Sequence, residues 1–119
     1  MNVIPKHLKM RQVYLYAVMR FVPDLIKNEP KNIAIIVFNK TSGECSYRFP
    51  IEKVKEKIGN DAFNDINKII GLYLDNLPQS EETFIKWCAS GGCLQLNGPL
   101  VFVTDDIEKE LDYLVKTFI

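Results

Sequence analysis

The feature that most constrains this fold is the segment NIAIIVFN at residues 32–39, which is apolar without interruption between its two asparagines. Its β-branched and aromatic residues predict a strand, and its lack of polar alternation predicts burial on both faces. A preceding run, QVYLYAVMRFV at residues 12–22, is also apolar on both parities and has Arg20 as its only charge. Two neighbouring strands of this kind require either helices on both faces of one sheet or a second chain over one face.

The remaining sequence predicts further elements that can supply this cover. A third strand is predicted at residues 44–50. Three helices follow, at 51–58, at 61–77 and from 81 to the glycine pair at 91–92. An extended stretch at 93–104 then leads to a last helix that begins at 104 or 105. The stretch at 93–104 is either a hairpin closed at Asn97-Gly98 or one bulged edge strand. Asn60 is expected to cap the second helix, whose apolar residues recur at steps of three and four, and Ser80 to cap the third. Asp105 with Glu108 is expected to form a capping box before the last helix.

The predicted order βββαααβα indicates an α+β fold. Short connections between the first three strands favour an antiparallel sheet of about four to five strands, packed with three to four helices. Residues 1–11 are expected to be a flexible basic arm, since Lys6, Lys9 and Arg11 lie there without an acid. Residues 12–119 are then one domain of ordinary size.

Composition argues against several classes of protein. Fifteen basic and fifteen acidic residues give no net charge, which disfavours nucleic acid as a partner. No apolar stretch approaches the ~20 residues that span a bilayer, so we expect no membrane association. An odd number of cysteines, Cys45, Cys88 and Cys93, with no CxxC pair indicates free thiols in a reducing compartment. Together with a start that lacks the apolar core of a signal peptide, this predicts a cytoplasmic protein.

The sequence offers no familiar catalytic or metal-binding device. Its only histidine, His7, lies in the predicted arm, where it is poorly placed to serve as a catalytic base or a zinc ligand. The segment WCASGGC separates Cys88 and Cys93 by four residues, which does not match a redox motif and favours small buried cysteines at a helix end. We therefore expect no catalytic residues, no metal site and no cofactor.

One polar segment, RFVPDLIKNEPKN at residues 20–32, interrupts the two apolar strands. If the hairpin closes symmetrically, Arg20 lies near Asn32, with Asp24 and Glu29 in the loop between them. In one interpretation Arg20 pairs with a loop carboxylate such as Glu29 and holds the loop in one shape. In the other, these groups converge on a ligand or on a partner's side chain.

The same residues resemble a known family. The segment YAVMRFVPDLIKNEPKNIAIIVF is similar to the opening of the bacterial domain of unknown function 3037 family, with a pattern close to Y-x-x-x-R-[FY]-x-P-D, then a glutamate, then N-[IV]-x-[IV]. The matching positions are Tyr16, Arg20, Phe21, Pro23, Asp24, Glu29, Asn32 and Ile33. The tail at residues 94–119 also resembles the family's ending. Ala34 departs from the pattern where many relatives have glycine, and Pro30 where they have an aromatic or aliphatic residue.

This resemblance implies a small cytoplasmic bacterial protein with no established enzymatic activity. Genes of the family often lie beside genes for HipA-like kinases, which implies a partner or regulator of such a kinase in a toxin–antitoxin or phage-defence module. Together with the two-faced apolar strands, it predicts a non-enzymatic protein-interaction module that forms a homodimer, binds a HipA-like kinase, or does both. The alternative is a small enzyme or an anion- or ligand-binding domain in which Arg20 binds an anion, Glu29 acts as a general base and Asn32 completes the cluster. The candidate residues for binding a ligand or partner are Arg20, Asp24, Glu29, Asn32 and Tyr16.

Overall fold

A computed structural model describes residues 11–22, 30–89 and 94–119. The described residues form four strands and four helices: β1 (Gln12–Phe21), β2 (Lys31–Asn39), β3 (Cys45–Arg48), α1 (Ile51–Ile58), α2 (Asn60–Asp75), α3 (Glu81–Cys88), β4 (Leu94–Thr104) and α4 (Ile107–Phe118). The order βββαααβα and the α+β fold class are therefore confirmed. Residues 1–10 of the expected arm lie outside the described part of the chain. None of the described helices is long and apolar enough to span a membrane.

The four strands form one antiparallel sheet in the order β3-β2-β1-β4. Residues 94–104 of the stretch for which the sequence left two possibilities form the single edge strand β4 rather than a hairpin. Its pairing with β1 changes register between Tyr16 and Val18, which is the bulge that the second possibility required. The sheet therefore has two edges, β3 and β4, at opposite sides of the two apolar central strands.

The chain's own helices cover both faces of the central strands. On one face, called here the three-helix face, Ala34 and Ile36 of β2 pack with Val54, Ile66, Ile70 and Phe84 from α1, α2 and α3. On the other, called the α4 face, Ile35 and Val37 of β2 pack with Leu111 and Leu114 of α4. Successive residues of a strand point to opposite faces, so a run with no polar alternation needs this cover on both sides. A second chain is not required over β2.

Two helix starts differ from the predictions. Asn60 is the first residue of α2 rather than its N-cap, because Gly59 takes the cap position with a φ of +85° that favours glycine. At the start of α4 the N-cap is Asp106, not Asp105, and its side chain accepts a hydrogen bond from the backbone N–H of the residue three positions on. The reason is local: the Thr104 hydroxyl accepts from the Asp106 N–H at 3.1 Å, which fixes the turn one residue later.

Candidate functional site

The hairpin of β1 and β2 brings Arg20 opposite Asn32, as its symmetry predicted. Arg20 also lies opposite Gln95 of β4, and its Nη2 is 3.5 Å from the Gln95 side-chain oxygen. The Arg20 Nε–H is buried and donates no hydrogen bond to any of the described residues. Asp24 and Glu29 lie outside the described residues, so the expected pairing of Arg20 with a loop carboxylate stays a prediction.

Asn32 links β2 to α1 and to α4 through hydrogen bonds. Its side-chain amide donates a hydrogen bond to the backbone oxygen of Phe118, at the end of α4, over 2.9 Å. Its own backbone oxygen accepts from Nζ of Lys57, on α1, over 3.2 Å. Burial lowers the pKa of Lys57, and the charges of Lys31 and Lys53 lower it further. These contacts favour a structural role for Asn32, since one N–H of its side-chain amide is already engaged within the fold.

The structure does not bring Tyr16 to this cluster. It lies four residues from Arg20 along β1, which corresponds to about 13 Å at ~3.4 Å per residue. Tyr16 is opposite Val37 on one side and Leu100 on the other, and its ring meets Phe102 edge-on with the centroids 5.4 Å apart. Tyr16 is therefore part of the packing on the α4 face.

A cavity of about 350 Å³ lies between the start of α1 and the side of α4. The charged residues that line it are Arg48, Lys53, Asp112 and Lys116. Arg48 already forms an ion pair with Glu108, and the other three side chains are exposed to solvent. The cavity has the volume of a small-ligand site but lacks the converging buried polar groups that give such a site its specificity.

Two thiols are described, and both are free. Cys88 is buried at the end of α3, where the sequence predicted a buried cysteine, and Cys45 is half-buried at the start of β3. Burial raises the pKa of each thiol to about 11, and for Cys45 the nearby Cys88 adds to the effect. Both are therefore protonated at neutral pH and are poor nucleophiles. Cys93 lies outside the described residues.

An exposed apolar surface lies where β4 pairs with the start of β1. Three valines, Val13, Val101 and Val103, are 37 %, 62 % and 53 % exposed. In the pairing of β1 with β4, Val101 lies opposite Leu15 and Val103 opposite Val13, which places all three on the three-helix face. We call them the valine strip.

The helices of the three-helix face cover only one half of β4. Leu94 is buried against them and Leu96 packs on the same cluster, whereas Val101 and Val103 lie beyond it. The exposed half is also uncharged: β4 has eleven residues, and none of them is ionisable. Natural sheets usually protect a long edge with lysine, proline or a bulge, and here Pro99 is the proline. We call the outer side of residues 100–104, which follow Pro99, the open edge.

Sequence reasoning did not single out the open edge. The signal was present in PLVFVT, where apolar residues occupy both parities of a predicted edge strand without a charge. The apolar runs of the two central strands are the stronger signal, and the helices cover those strands.

Comparison of the chain with family models, with curated proteins and with solved structures found no match. The resemblance to the domain of unknown function 3037 family therefore stays a prediction from the residues quoted above. Among the described residues, no group of three or more histidine, cysteine, aspartate and glutamate side chains is placed to hold a metal ion. The open edge and the valine strip are the candidate site, on geometry alone.

Proposed function

We propose that this chain is a non-enzymatic protein-interaction module and that the open edge of β4, with the valine strip beside it, is its binding surface. The observation that carries the proposal is the exposure of Val101 and Val103, 62 % and 53 %, on a long edge strand without a charge. An exposed apolar strip beside an edge that pairs with no further strand among the described residues favours the addition of a strand.

The mode of binding follows from the geometry of the edge. An added strand forms backbone hydrogen bonds with the outer N–H and C=O groups of residues 100–104, which supply affinity without requiring a particular sequence. Its side chains on the three-helix face then lie beside Val101 and Val103, where apolar β-branched residues fit best. Specificity thus comes from alternate side chains of the partner strand.

The family resemblance suggests which protein binds. We propose a HipA-like kinase as a partner in the bacterial cytoplasm, within a toxin–antitoxin or phage-defence module, because genes for such kinases often lie beside those of the resembling family. The support for the surface is geometric, and the support for the kinase is the resemblance of residues 16–33. The two parts of the proposal are therefore tested separately.

The test compares three tagged forms of the full chain in capture from the native cell, read by mass spectrometry. The wild type is compared with V101K/V103K, which charges the valine strip, and with I69K/L72K. Ile69 and Leu72 are 40 % and 67 % exposed on α2, so the second variant makes the same chemical change on another surface. Circular dichroism verifies that each form is folded.

A HipA-like kinase held by the wild type and by I69K/L72K, and reduced at least tenfold with V101K/V103K, supports both parts. Another protein with the same dependence supports the surface and overturns the kinase. If no captured protein, a second copy of this chain included, depends on Val101 and Val103, the open edge is not a binding surface and the proposed function fails.

A further inference from the structure

The open edge of one chain can pair with the open edge of a second copy of the chain. A strand pairs with its own copy when its exposed side chains match after a two-fold rotation. The pairing here is bounded on one side by Pro99, which has no N–H to donate, and on the other by Asp105, a charge at the turn before α4. The longest antiparallel pairing that avoids both residues covers 100–104 and is centred on Phe102.

We infer that the open edge binds a second copy of this chain in that register, which joins two four-stranded sheets into one of eight strands. The inference rests on the proposed function, because it names a partner for the same surface. Val101 then lies opposite Val103 of the partner subunit, and Val103 lies opposite Val101 of the partner subunit. All four valines share the three-helix face.

The neighbouring registers are less favourable. A pairing centred on Val101 places Val103 opposite a proline that cannot donate to the ladder. A pairing centred on Val103 places Val101 opposite Asp105, so that an apolar side chain faces a carboxylate that loses water. Only the register centred on Phe102 matches each exposed valine with another β-branched residue, and such cross-strand pairs stabilise a sheet.

The charges also permit this arrangement. β4 contains no ionisable residue, so no like charges meet within the paired segment. The acidic turns of the two copies lie at opposite ends of the pairing, because the two strands run antiparallel. Asp105 of one copy is about six residues, or ~20 Å, from the same residue in the other. This separation exceeds the screening length of about 8–10 Å at moderate salt.

The size of the contact indicates a reversible dimer. A pairing of residues 100–104 with two valine contacts on one face is small against the ~800 Å² per partner of a standard interface. We therefore expect a monomer–dimer equilibrium that shifts with protein concentration. A surface that is only partly occupied by a second copy also stays available to another strand of similar chemistry.

Sedimentation velocity across a wide range of concentration tests the inference with four forms of the full chain. In V101K/V103K each lysine faces a lysine of the partner subunit, and in V101K/V103E each lysine faces a glutamate. I69K/L72K is the control for added charge elsewhere. Like charges directly opposite one another destabilise a sheet, whereas opposite charges stabilise it.

We expect the wild type and I69K/L72K to dimerise on concentration, V101K/V103K to associate at least tenfold more weakly, and V101K/V103E to regain most of the association. A V101K/V103E form as weakly associated as V101K/V103K overturns the register. A folded wild type that stays monomeric at every concentration overturns the second copy. If it still captures another protein through Val101 and Val103, the proposed function stands without this inference.

Discussion

The two edges of the sheet are protected to different degrees. β3 has only four residues and ends at Arg48, which forms an ion pair with Glu108 of α4. β4 has eleven residues without a charge, and helices cover only the half that contains Leu94. Short length and charged side chains are among the devices by which natural sheets avoid edge pairing. In the described part of the chain, β3 has both of them, whereas the half of β4 that follows Pro99 has neither.

The central strands offer a second part of the same lesson. β2 is strongly apolar, and its consecutive residues Ile33 to Ile36 are all fully buried. Apolar content alone therefore does not mark a binding surface, because the helices of the same chain cover it. The informative surface is the one where apolar residues extend past their cover, at Val101 and Val103.

The largest effect should come from removing the buried anchor of α3, which packs against β4 and, through Phe38, against β2. Phe84 of α3 is fully buried, and its ring stacks on Phe38 with the centroids 5.8 Å apart. We expect Phe84→Ala to lower the free energy of unfolding by about 3–5 kcal/mol, through lost burial and the cavity left behind. Urea denaturation measures this. The control is Ile85→Ala on the same helix, 44 % exposed, for which we expect less than about 1 kcal/mol. Equal losses for the two variants would show that α3 is not anchored through Phe84.

A smaller effect is expected where β4 crosses closest to β1. A Cβ at Gly98 would lie 2.8 Å from the backbone oxygen of Tyr16 and 3.0 Å from the Cβ of Ala17. We expect Gly98→Ala to destabilise the fold by about 1–3 kcal/mol, since these atoms have little freedom to move. Gly71→Ala is the matched control, because nothing lies within 4 Å of that position on α2. It should stabilise by up to about 1 kcal/mol, as alanine is the better helix former. Thermal melting compares the two, and a destabilisation of the same sign and size at both positions would contradict the close approach of β4.

The last prediction concerns pH, and it tests whether the β3 side of the sheet is covered. The pKa of Cys45 and of Cys88 is about 11 in the folded chain against an ordinary value of 9.0. Between pH 9 and 11 the unfolded chain releases thiol protons that the folded chain keeps, so the free energy of unfolding falls as the pH rises through this window. Below pH 9 the contribution is fully present.

Denaturation of the wild type and of C45S/C88S across pH 8 to 11 checks this sign. The variant removes the two thiols whose pKa is raised and leaves Cys93 and the other alkaline groups in place. We expect its stability to fall less steeply with pH than that of the wild type. Parallel curves would mean that the thiols titrate alike in the folded and unfolded chains, and that neither is shielded from solvent.

Much of the fold could be predicted because its strongest signals are local. The apolar runs of β1 and β2, the apolar spacing of α2 and the Ser80 cap of α3 each depend on a few neighbouring residues, and Ser80 does accept the Thr83 N–H at 3.1 Å. The placement of Arg20 opposite Asn32 followed from the closing of one hairpin.

The rest depends on contacts between distant residues. Asn32 bonds to Phe118, 86 positions away, and no local pattern shows that its amide is engaged. Whether 93–104 is a hairpin or one strand is decided by its pairing with β1. How much of β4 is left exposed depends on where α3 ends over the sheet. The sequence of β4 alone does not show this. For this reason the candidate surface was missed although its residues were predicted to be an edge strand.

Amide hydrogen exchange at low and high protein concentration tests the central claim, that β4 rather than β3 is the edge that pairs with another chain. The account predicts that outward-facing amides within residues 100–104 become protected as the concentration rises, while those of residues 45–48 do not change. Concentration-independent exchange at 100–104, or new protection at 45–48 instead, would contradict it.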